Sequence, residues 1–324
     1  MNIKSVCVVI VTYNRCEYLL KLLNELKCQS YNLNGILIFD NHSSDGTEQK
    51  LINEGYCYKA KENDLCMLKQ NEIVYYYYRN SENSGGSGGF HDAMRIASSL
   101  GYDYLWCMDD DVSPDQYCLE KLMEHISQKV RICIPTRTDE NYQDFAVTKV
   151  NMSNPFLYNI VSRKTMVYNN FIEGNTIKVM DMPFEGPLIS NDLIKEIGLP
   201  KADFFIIFDD SEYAARASKN TEILYCKDAI LHKQIIPSSN SKNILMNWKN
   251  YYGYRNQIWF DRNYGDNKFV KVIRPRLLLV DIVVRALIRR KYSNINVIKK
   301  AYKDGMNGIL GKLVEPGTVG KDIK

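Results

Sequence analysis

The first 135 residues alternate between short continuous apolar runs and longer segments in which apolar residues recur every three or four positions. The run from Val6 to Thr12 is rich in β-branched residues, which predicts a buried strand. The segment after it predicts a helix with one apolar face. That face consists of Tyr18, Leu19, Leu22, Leu23 and Leu26.

The same alternation continues along the chain and predicts an α/β fold. A mostly parallel sheet with helices on both faces is expected, and ligands bind beyond the carboxyl ends of the strands in such sheets. Residues 54–70 are predicted to be a polar surface excursion, and residues 137–180 to hold a hairpin. The remaining predicted strands are 36–39, 73–78, 104–108 and 130–134. One further helix is predicted to follow Thr47, and the others to span about 90–100, 114–126 and 191–198.

Three consecutive carboxylates, Asp109, Asp110 and Asp111, follow the apolar strand at residues 104–108. They could not all stay ionised close together without a counter-charge, and hard oxygen ligands favour Mg or Mn. The alternative is a solvated helix start, because Asp is favoured at caps and Ser113-Pro114 would open a helix.

A glycine-rich run at residues 83–90 is the second informative motif. Four glycines in five positions before a helix allow backbone amides to approach an anion closely, and the helix N-terminus favours negative charge. The run lacks the GK[ST] of a P-loop, and it does not follow the first strand as a dinucleotide fingerprint would. A flexible linker is disfavoured, because predicted strand and helix flank the run closely.

The bulk properties are those of a globular protein, with 45% hydrophobic and 25% charged residues in 324. The nine cysteines include no CxxC pair, and no signal segment is seen, which predicts a reducing cytoplasm. No run of about eighteen apolar residues occurs, so no membrane-spanning helix is expected. We predict an α/β domain at 1–240 that is divided at about residue 135. A helical, basic region is predicted at 241–324.

The C-terminal tail is basic although the whole chain carries only +4. Residues 271–324 hold 13 basic and 4 acidic residues, or +9, which leaves −5 for the rest. Basic and apolar residues alternate over 271–295, which predicts an amphipathic helix that lies on an anionic membrane. Packing on the catalytic domain with a solvated basic face is the equal alternative. Nothing resembling a recognition motif accompanies the charge, so no nucleic-acid partner is expected.

Taken together, these motifs resemble the GT-A glycosyltransferases of family 2. The stretch from Val8 to Arg15, the pair Asp40-Asn41, the turn Ser44-Asp45-Gly46-Thr47, the glycine run and the Asp triplet fall where that family has them. The turn at residues 83–90 resembles the galactofuranosyltransferase-like branch most, with the rhamnosyltransferase-like branch close by. The resemblance covers about residues 3–260. It implies that the domain at 1–240 is catalytic, with a nucleotide-binding half at about 1–135 and an acceptor half at about 136–240.

The resemblance also implies roles for individual residues. The nucleotide-sugar donor is implied to contact Thr12, Arg15, Asp40, Asn83, Gly85, Gly86, Asp109 and Asp110. Asp109, Asp111 and His232 are implied to hold Mn or Mg, although a lone histidine after a strand-like run is more often structural. Asp210 is implied to be the general base, whereas an Asp-Asp pair before a helix is by itself more often a cap.

An aromatic cluster with helical spacing follows, at Trp248, Tyr251, Tyr252, Tyr254, Arg255 and Trp259. Such rings stack on sugars, but a helix stripe usually means burial, so we predict core packing for about two-thirds of them.

The expected function is inverting, metal-dependent transfer of a sugar from a nucleotide diphosphate to a glycan or lipid-linked glycan in surface polysaccharide synthesis. UDP-galactofuranose is the favoured donor and dTDP-rhamnose the alternative. A sugar nucleotidyltransferase is disfavoured, because Thr12-Tyr13-Asn14-Arg15 stands where a basic glycine-rich turn would be. A non-catalytic sugar-nucleotide-binding protein would be expected to have lost Asp210 or the triplet.

Overall fold

A computed structural model describes residues 4–59, 61–140, 142–235 and 245–323. Twelve strands are found in these ranges, and the predicted strands at residues 6–12, 36–39, 73–78, 104–108 and 130–134 are confirmed. In chain order they are β1 (Val6–Thr12), β2 (Gly35–Asp40), β3 (Leu65–Gln70), β4 (Ile73–Arg79), β5 (Tyr104–Asp109), β6 (Val112–Pro114), β7 (Val130–Thr136), β8 (Phe145–Val150), β9 (Lys164–Tyr168), β10 (Thr176–Val179), β11 (Leu188–Ser190) and β12 (Glu222–Lys233).

Helices separate most of these strands in the first half and follow them in the second. They are α1 (Cys16–Lys27), α2 (Thr47–Asn53), α3 (Gly85–Ser99), α4 (Cys118–Glu124), α5 (Asn191–Ile197), α6 (Asp209–Ala217), α7 (Trp248–Tyr264), α8 (Lys268–Ile288) and α9 (Ser293–Asn307). Helix α5 ends at Gly198, whose φ of 81° is of the kind that favours glycine, as its sequence predicts.

One large mixed sheet forms the centre of the molecule, with the strand order β10-β12-β7-β11-β5-β1-β2-β4-β3. Strands β5, β1, β2 and β4 run parallel, and β7 is parallel to β12. Antiparallel pairing occurs at β11 and at both edges. Because β1, β2 and β5 are parallel, Thr12, Asp40 and Asp109 end at one edge of the sheet.

Helices cover both faces of this sheet, which confirms the predicted α/β class. Side chains alternate between the two faces of the sheet along β1. Val8 and Ile10 lie in a core with α1 and α4. Val9 and Val11 lie in a second core with α3, α5 and α6. All seven residues of β1 are buried. A strand covered on both faces reads as an unbroken apolar run, which is why its sequence predicts it well.

Several predicted boundaries are wrong for physical reasons. The excursion at 54–70 contains β3, an antiparallel edge strand with mostly exposed or half-buried side chains and therefore little apolar signal. The glycine run is already the first turn of α3, so that helix begins at Gly85 and not near Phe90. Tyr18 is 38% exposed instead of facing the core, because only the leucines of α1 reach the sheet.

The segment after the Asp triplet is a strand and not a helix start. Residues Val112–Pro114 pair with β12, and the following helix spans only Cys118–Glu124. The predicted hairpin within 137–180 is confirmed by the antiparallel pair β8 and β9.

Helices α7, α8 and α9 pack together after β12, in agreement with a helical C-terminal region. The predicted domain boundary between 240 and 241 lies outside the described residues and stays a prediction. Among the helices described, none is both long enough and apolar enough to cross a bilayer.

Candidate active site

A cavity of about 330 Å³ lies at the carboxyl edge of the parallel strands. It brings together seven of the predicted donor residues from four separate elements and turns. These residues are Thr12, Arg15, Asn83, Gly85, Gly86, Asp109 and Asp110. Residues far apart in sequence therefore line one concave site, as expected where parallel strands end.

The floor of the cavity is a network centred on Asp110. Its carboxylate accepts hydrogen bonds from the Thr12 hydroxyl at 2.7 Å and from Arg15 Nη1 at 3.2 Å. Arg15 also contacts Asp111 at 2.6 Å. Burial raises the pKa of Asp110 to about 6, although Thr12 and Arg15 both oppose that shift. Arg15 thus supplies part of the counter-charge that the Asp triplet requires.

The glycine turn is shaped by Asn41, which follows β2. Its side-chain amide donates to the Gly85 carbonyl at 2.9 Å and its carbonyl accepts from the Ser84 backbone amide at 3.1 Å. Asn83 accepts from the Gly85 amide at 2.8 Å. Gly85 has φ of +76°, and an added Cβ would overlap the carbonyl oxygen of Phe205. Glycine is therefore required at this position.

Asp40 does not line the cavity, and its contact with the nucleotide stays a prediction. Its carboxylate is fully buried beneath the turn that follows β2. It accepts hydrogen bonds from the Ser43 amide at 2.7 Å, the Tyr77 hydroxyl at 2.8 Å and Arg79 at 3.2 Å. These bonds satisfy both oxygens, so Asp40 holds the turn that carries Asn41 and Ser43.

Asp109 lies at the cavity wall with a different environment. Within the described chain, no side chain donates a hydrogen bond to its carboxylate. Its pKa is raised well above the ordinary value, first by burial and then by Glu185, Asp111 and Asp110. Several carboxylates close together have the chemistry of a hard divalent-cation site.

The implied metal ligands are not assembled as a set of three. Asp111 contacts Arg15, and the Nδ1 atom of His232 lies 3.1 Å from a carboxylate oxygen of Asp139. Strand β12 does pair His232 with Ser113, two residues beyond Asp111. In the ranges that the structure describes, no three His, Cys, Asp or Glu side chains are arranged to hold a metal ion. The carboxylates suit such an ion, but the ligand set stays a prediction.

Asp209 and Asp210 are the first two residues of α6. Burial raises the pKa of Asp210, and the neighbouring carboxylates Asp209 and Asp181 raise it further. Lys164 and the Ser211 amide oppose the shift. The pair does occupy a helix start, which is the cap-like position that its sequence indicates, but a raised carboxyl pKa is also what a general base requires.

Asp210 opens onto a second cavity of about 180 Å³ rather than onto the donor cavity. Arg137, Lys164 and Asp181 line this second cavity with it. Arg137 contacts Glu185 at 2.7 Å, and Glu185 is the carboxylate that acts most strongly on Asp109. The Arg137–Glu185 ion pair therefore connects the cavity of Asp210, which Arg137 lines, with Asp109 at the wall of the donor cavity.

The loop between the two cavities has an unusual backbone. Phe205, Ile207 and Phe208 have φ of 66°, 68° and 79°. Side chains other than glycine rarely adopt such angles, and each costs about 1–3 kcal/mol. Helix α7 compensates, because the Asn256 amide donates to the carbonyls of Phe204, Ile206 and Ile207 at 3.1, 2.9 and 2.8 Å.

Several of these contributions escaped the sequence interpretation. Asn256 lies within the aromatic cluster but has no pattern that marks its role, Glu185 is given no role by the sequence interpretation, and Asn41 is suggested only by its position beside Asp40. Trp248 and Lys249, at the start of α7, also line the donor cavity. Tyr251, Tyr252 and Arg255 are buried, as predicted for most of that cluster.

Among curated proteins, the chain is similar to galactofuranosyltransferase GlfT1 of Mycolicibacterium smegmatis. The two are 22% identical over 216 residues, which cover 65% of this chain and 64% of the relative. The chain thus spans somewhat less than two-thirds of that relative.

Solved structures share the fold at low identity. GalNAc-T7 with UDP, GalNAc and Mn²⁺ matches with a TM-score of 0.60 and 12% identity, over 95% of this chain and 57% of that one. The mannosyltransferase PcManGT of Pyrobaculum calidifontis, with GDP-Man and Mn²⁺, matches with a TM-score of 0.54 and 13% identity, over 94% of this chain and 87% of that one. These likenesses confirm the predicted GT-A fold.

A family model for glycosyl transferase family 2 matches residues 7–184, which include β1, the glycine turn and the Asp triplet. That match covers more than half of the chain, and the protein belongs to glycosyl transferase family 2.

Proposed function

We propose that the protein is an inverting, metal-dependent glycosyltransferase that moves a sugar from a nucleotide diphosphate to a glycan or lipid-linked glycan in surface polysaccharide synthesis. The observation that carries this proposal is the single cavity lined by Thr12, Arg15, Asn83 and Asp109 beside the glycine turn. Its volume and the hydrogen-bonding side chains among its lining residues suit a ligand with several hydrogen-bonding groups.

In the proposed reaction, an acceptor hydroxyl attacks the anomeric carbon of the donor. Its oxygen forms the new glycosidic bond while the bond from that carbon to the diphosphate oxygen breaks, with inversion. Asp210 takes the hydroxyl proton, for which its raised pKa is suited. The Gly86 backbone amide would face the diphosphate, since the Gly85 amide already donates to Asn83, and α3 contributes its positive end.

The metal part of the proposal rests on the carboxylates at the cavity wall. We propose that Asp109 and Asp111, with His232, hold Mg or Mn when the donor is bound. A bound cation would offset the negative charge on the departing diphosphate. Two of the structurally similar transferases carry Mn²⁺, which supports this choice of ion.

UDP-galactofuranose is the proposed donor and dTDP-rhamnose the alternative. The similarity to a galactofuranosyltransferase supports the first choice. We further propose that the enzyme works in the reducing cytoplasm. All nine cysteines lie in the described part of the chain, and each is a free thiol there.

The decisive experiment incubates the purified chain and Mn with UDP-galactofuranose, UDP-galactopyranose and dTDP-rhamnose in parallel. Release of the nucleotide diphosphate and a rise in melting temperature are measured for each. We expect the UDP-furanose to give the fastest release. If none of the nucleotides stabilised the protein, the cavity would not be a donor site and the proposal would fail.

A further inference from the structure

Helix α8 has two apolar faces, although a packed surface helix needs only one. The inner face is buried against α7, α9 and the loop near Met152. It consists of Val270, Arg274, Pro275, Leu278, Ile282 and Ala286. This buried face agrees with one of the two alternatives for the tail, in which the helix packs on the rest of the protein.

The outer face is apolar and exposed. Together with Arg276, which stands between Val272 and Val280, its residues lie on one side of the helix. Ile288 is 77% exposed and Phe269 is 65% exposed. The other exposed apolar residues of this face are Val272, Val280, Val284 and Leu287. A solvated basic face, which the packing alternative predicted, would not expose six large apolar side chains.

The charges around this outer face have one sign. Lys268, Arg276, Arg289 and Arg290 are exposed on the helix or directly after it. Asp281 is the one acidic residue in the sequence between 268 and 292, and it forms an ion pair with Arg285 at 2.8 Å. The apolar strip is therefore surrounded by positive charge.

We propose that the outer face of α8 docks on an anionic phospholipid surface. Apolar side chains enter the boundary of the acyl chains while the basic residues contact the headgroups, as in interfacial amphipathic helices. A second copy of the chain fits less well, because two such faces would bring like charges together. The inference does not depend on the proposed donor or reaction.

The test is co-sedimentation of the full chain with vesicles of phosphatidylcholine alone or with phosphatidylglycerol added. Binding is expected only to the anionic vesicles. Each basic residue near such a surface changes binding by about fivefold, and salt screens the effect. Changing Arg289→Glu and Arg290→Glu should therefore lower binding by more than roughly tenfold.

Two matched controls make the result specific to this face. Lys299→Glu and Lys303→Glu change the net charge equally on the exposed side of α9 and should bind nearly as the wild type does. Val280→Ser and Val284→Ser should weaken binding, whereas Val161→Ser and Val319→Ser, at positions of similar exposure, should not. Circular-dichroism melts verify that each variant is folded.

Two results would overturn the proposal. Equal losses in the α8 and α9 charge variants would mean unspecific attraction by net charge. Unchanged vesicle binding of the valine variant, together with a change from dimer to monomer in light scattering, would make the outer face a contact between copies of the chain.

Discussion

The side-chain amide of Asn256 donates a hydrogen bond of 2.8 Å to the backbone carbonyl of Ile207, a β-branched residue with φ of 68°. This bond joins the C-terminal helices to the loop that leads into Asp210. The backbone of that loop is unfavourable by itself, so its shape depends on α7. The C-terminal region therefore has a part in forming the site as well as in covering it.

Asn256→Asp should lower transfer by about 10- to 100-fold, a typical result when a reacting group is displaced by about 1 Å. The carboxylate has the same shape but cannot donate to three carbonyl oxygens. The donor KM should change as well, because Phe205 and Ile206 of the same loop line the donor cavity. Steady-state kinetics with varied donor separates the two effects. Asn263→Ala, on an exposed position of α7, serves as the control, and equal losses in both variants would refute the positioning role.

Asp210→Asn should lower transfer by roughly two to four orders of magnitude, since it keeps the shape of the side chain but cannot accept the proton. Donor affinity, measured by calorimetry with UDP, should stay near that of the wild type. Asp192→Asn, at a highly exposed carboxylate, provides the matched control. A variant that lost UDP binding but kept a normal rate at saturation would assign Asp210 to the donor site instead.

The pH dependence of transfer should reflect the raised pKa of Asp210. The base works only when ionised, so kcat/KM should rise with pH through a pKa above the ordinary Asp value of about 3.9. The same shift lowers stability as pH rises from the unfolded to the folded pKa, because the folded state holds this proton more tightly.

A variant at the neighbouring carboxylate tests the origin of that shift. Asp181 raises the pKa of Asp210 and Lys164 lowers it. Asp181→Asn should therefore move the acidic limb of the profile to lower pH. Movement in the opposite direction would mean that another group controls the limb.

Gly85→Ala should destabilise the fold by at least about 1 kcal/mol, because a side chain is strained at φ of +76° and would collide with Phe205. Gly86→Ala is the matched control, since its Cβ would meet no atom within 4 Å. Urea unfolding of both variants compares the two positions directly. Similar midpoints would show that the turn adapts and that Gly85 is not required for the fold.

Asp111→Ala should abolish transfer while leaving the protein folded, if the proposed cation is needed. EDTA should inhibit the wild type, and Mn or Mg should restore activity. Mn²⁺ binding can also be followed without turnover by electron paramagnetic resonance, and the variant should bind the ion more weakly. Full activity in chelator would exclude the metal role.

The sequence predicts the parts of this site that depend on local patterns. The buried strand β1 appears as an apolar run, and the glycine turn is visible in its composition. The burial of Asp40 could not be predicted from local patterns, because it depends on Tyr77 and Arg79 in another strand. The three-residue strand β6 likewise exists through its pairing with β12, about 120 residues later.

The loop before Asp210 is the clearest case of a feature that sequence patterns do not reveal. No propensity favours Phe or Ile at positive φ. The conformation is fixed by Asn256, which lies about 50 residues further along the chain. Such a feature becomes visible only when the tertiary hydrogen bonds are known.

The contact between Gly85 and Phe205 has a consequence for the order in which ligands bind. The Ser87 amide donates to the Phe205 carbonyl at 3.1 Å, so the glycine turn and the loop before Asp210 form one mechanical unit. A donor that draws the turn inward must shift that loop as well, and the acceptor then meets a different surface. We therefore expect the two affinities to be thermodynamically linked, each ligand changing the binding of the other by the same factor.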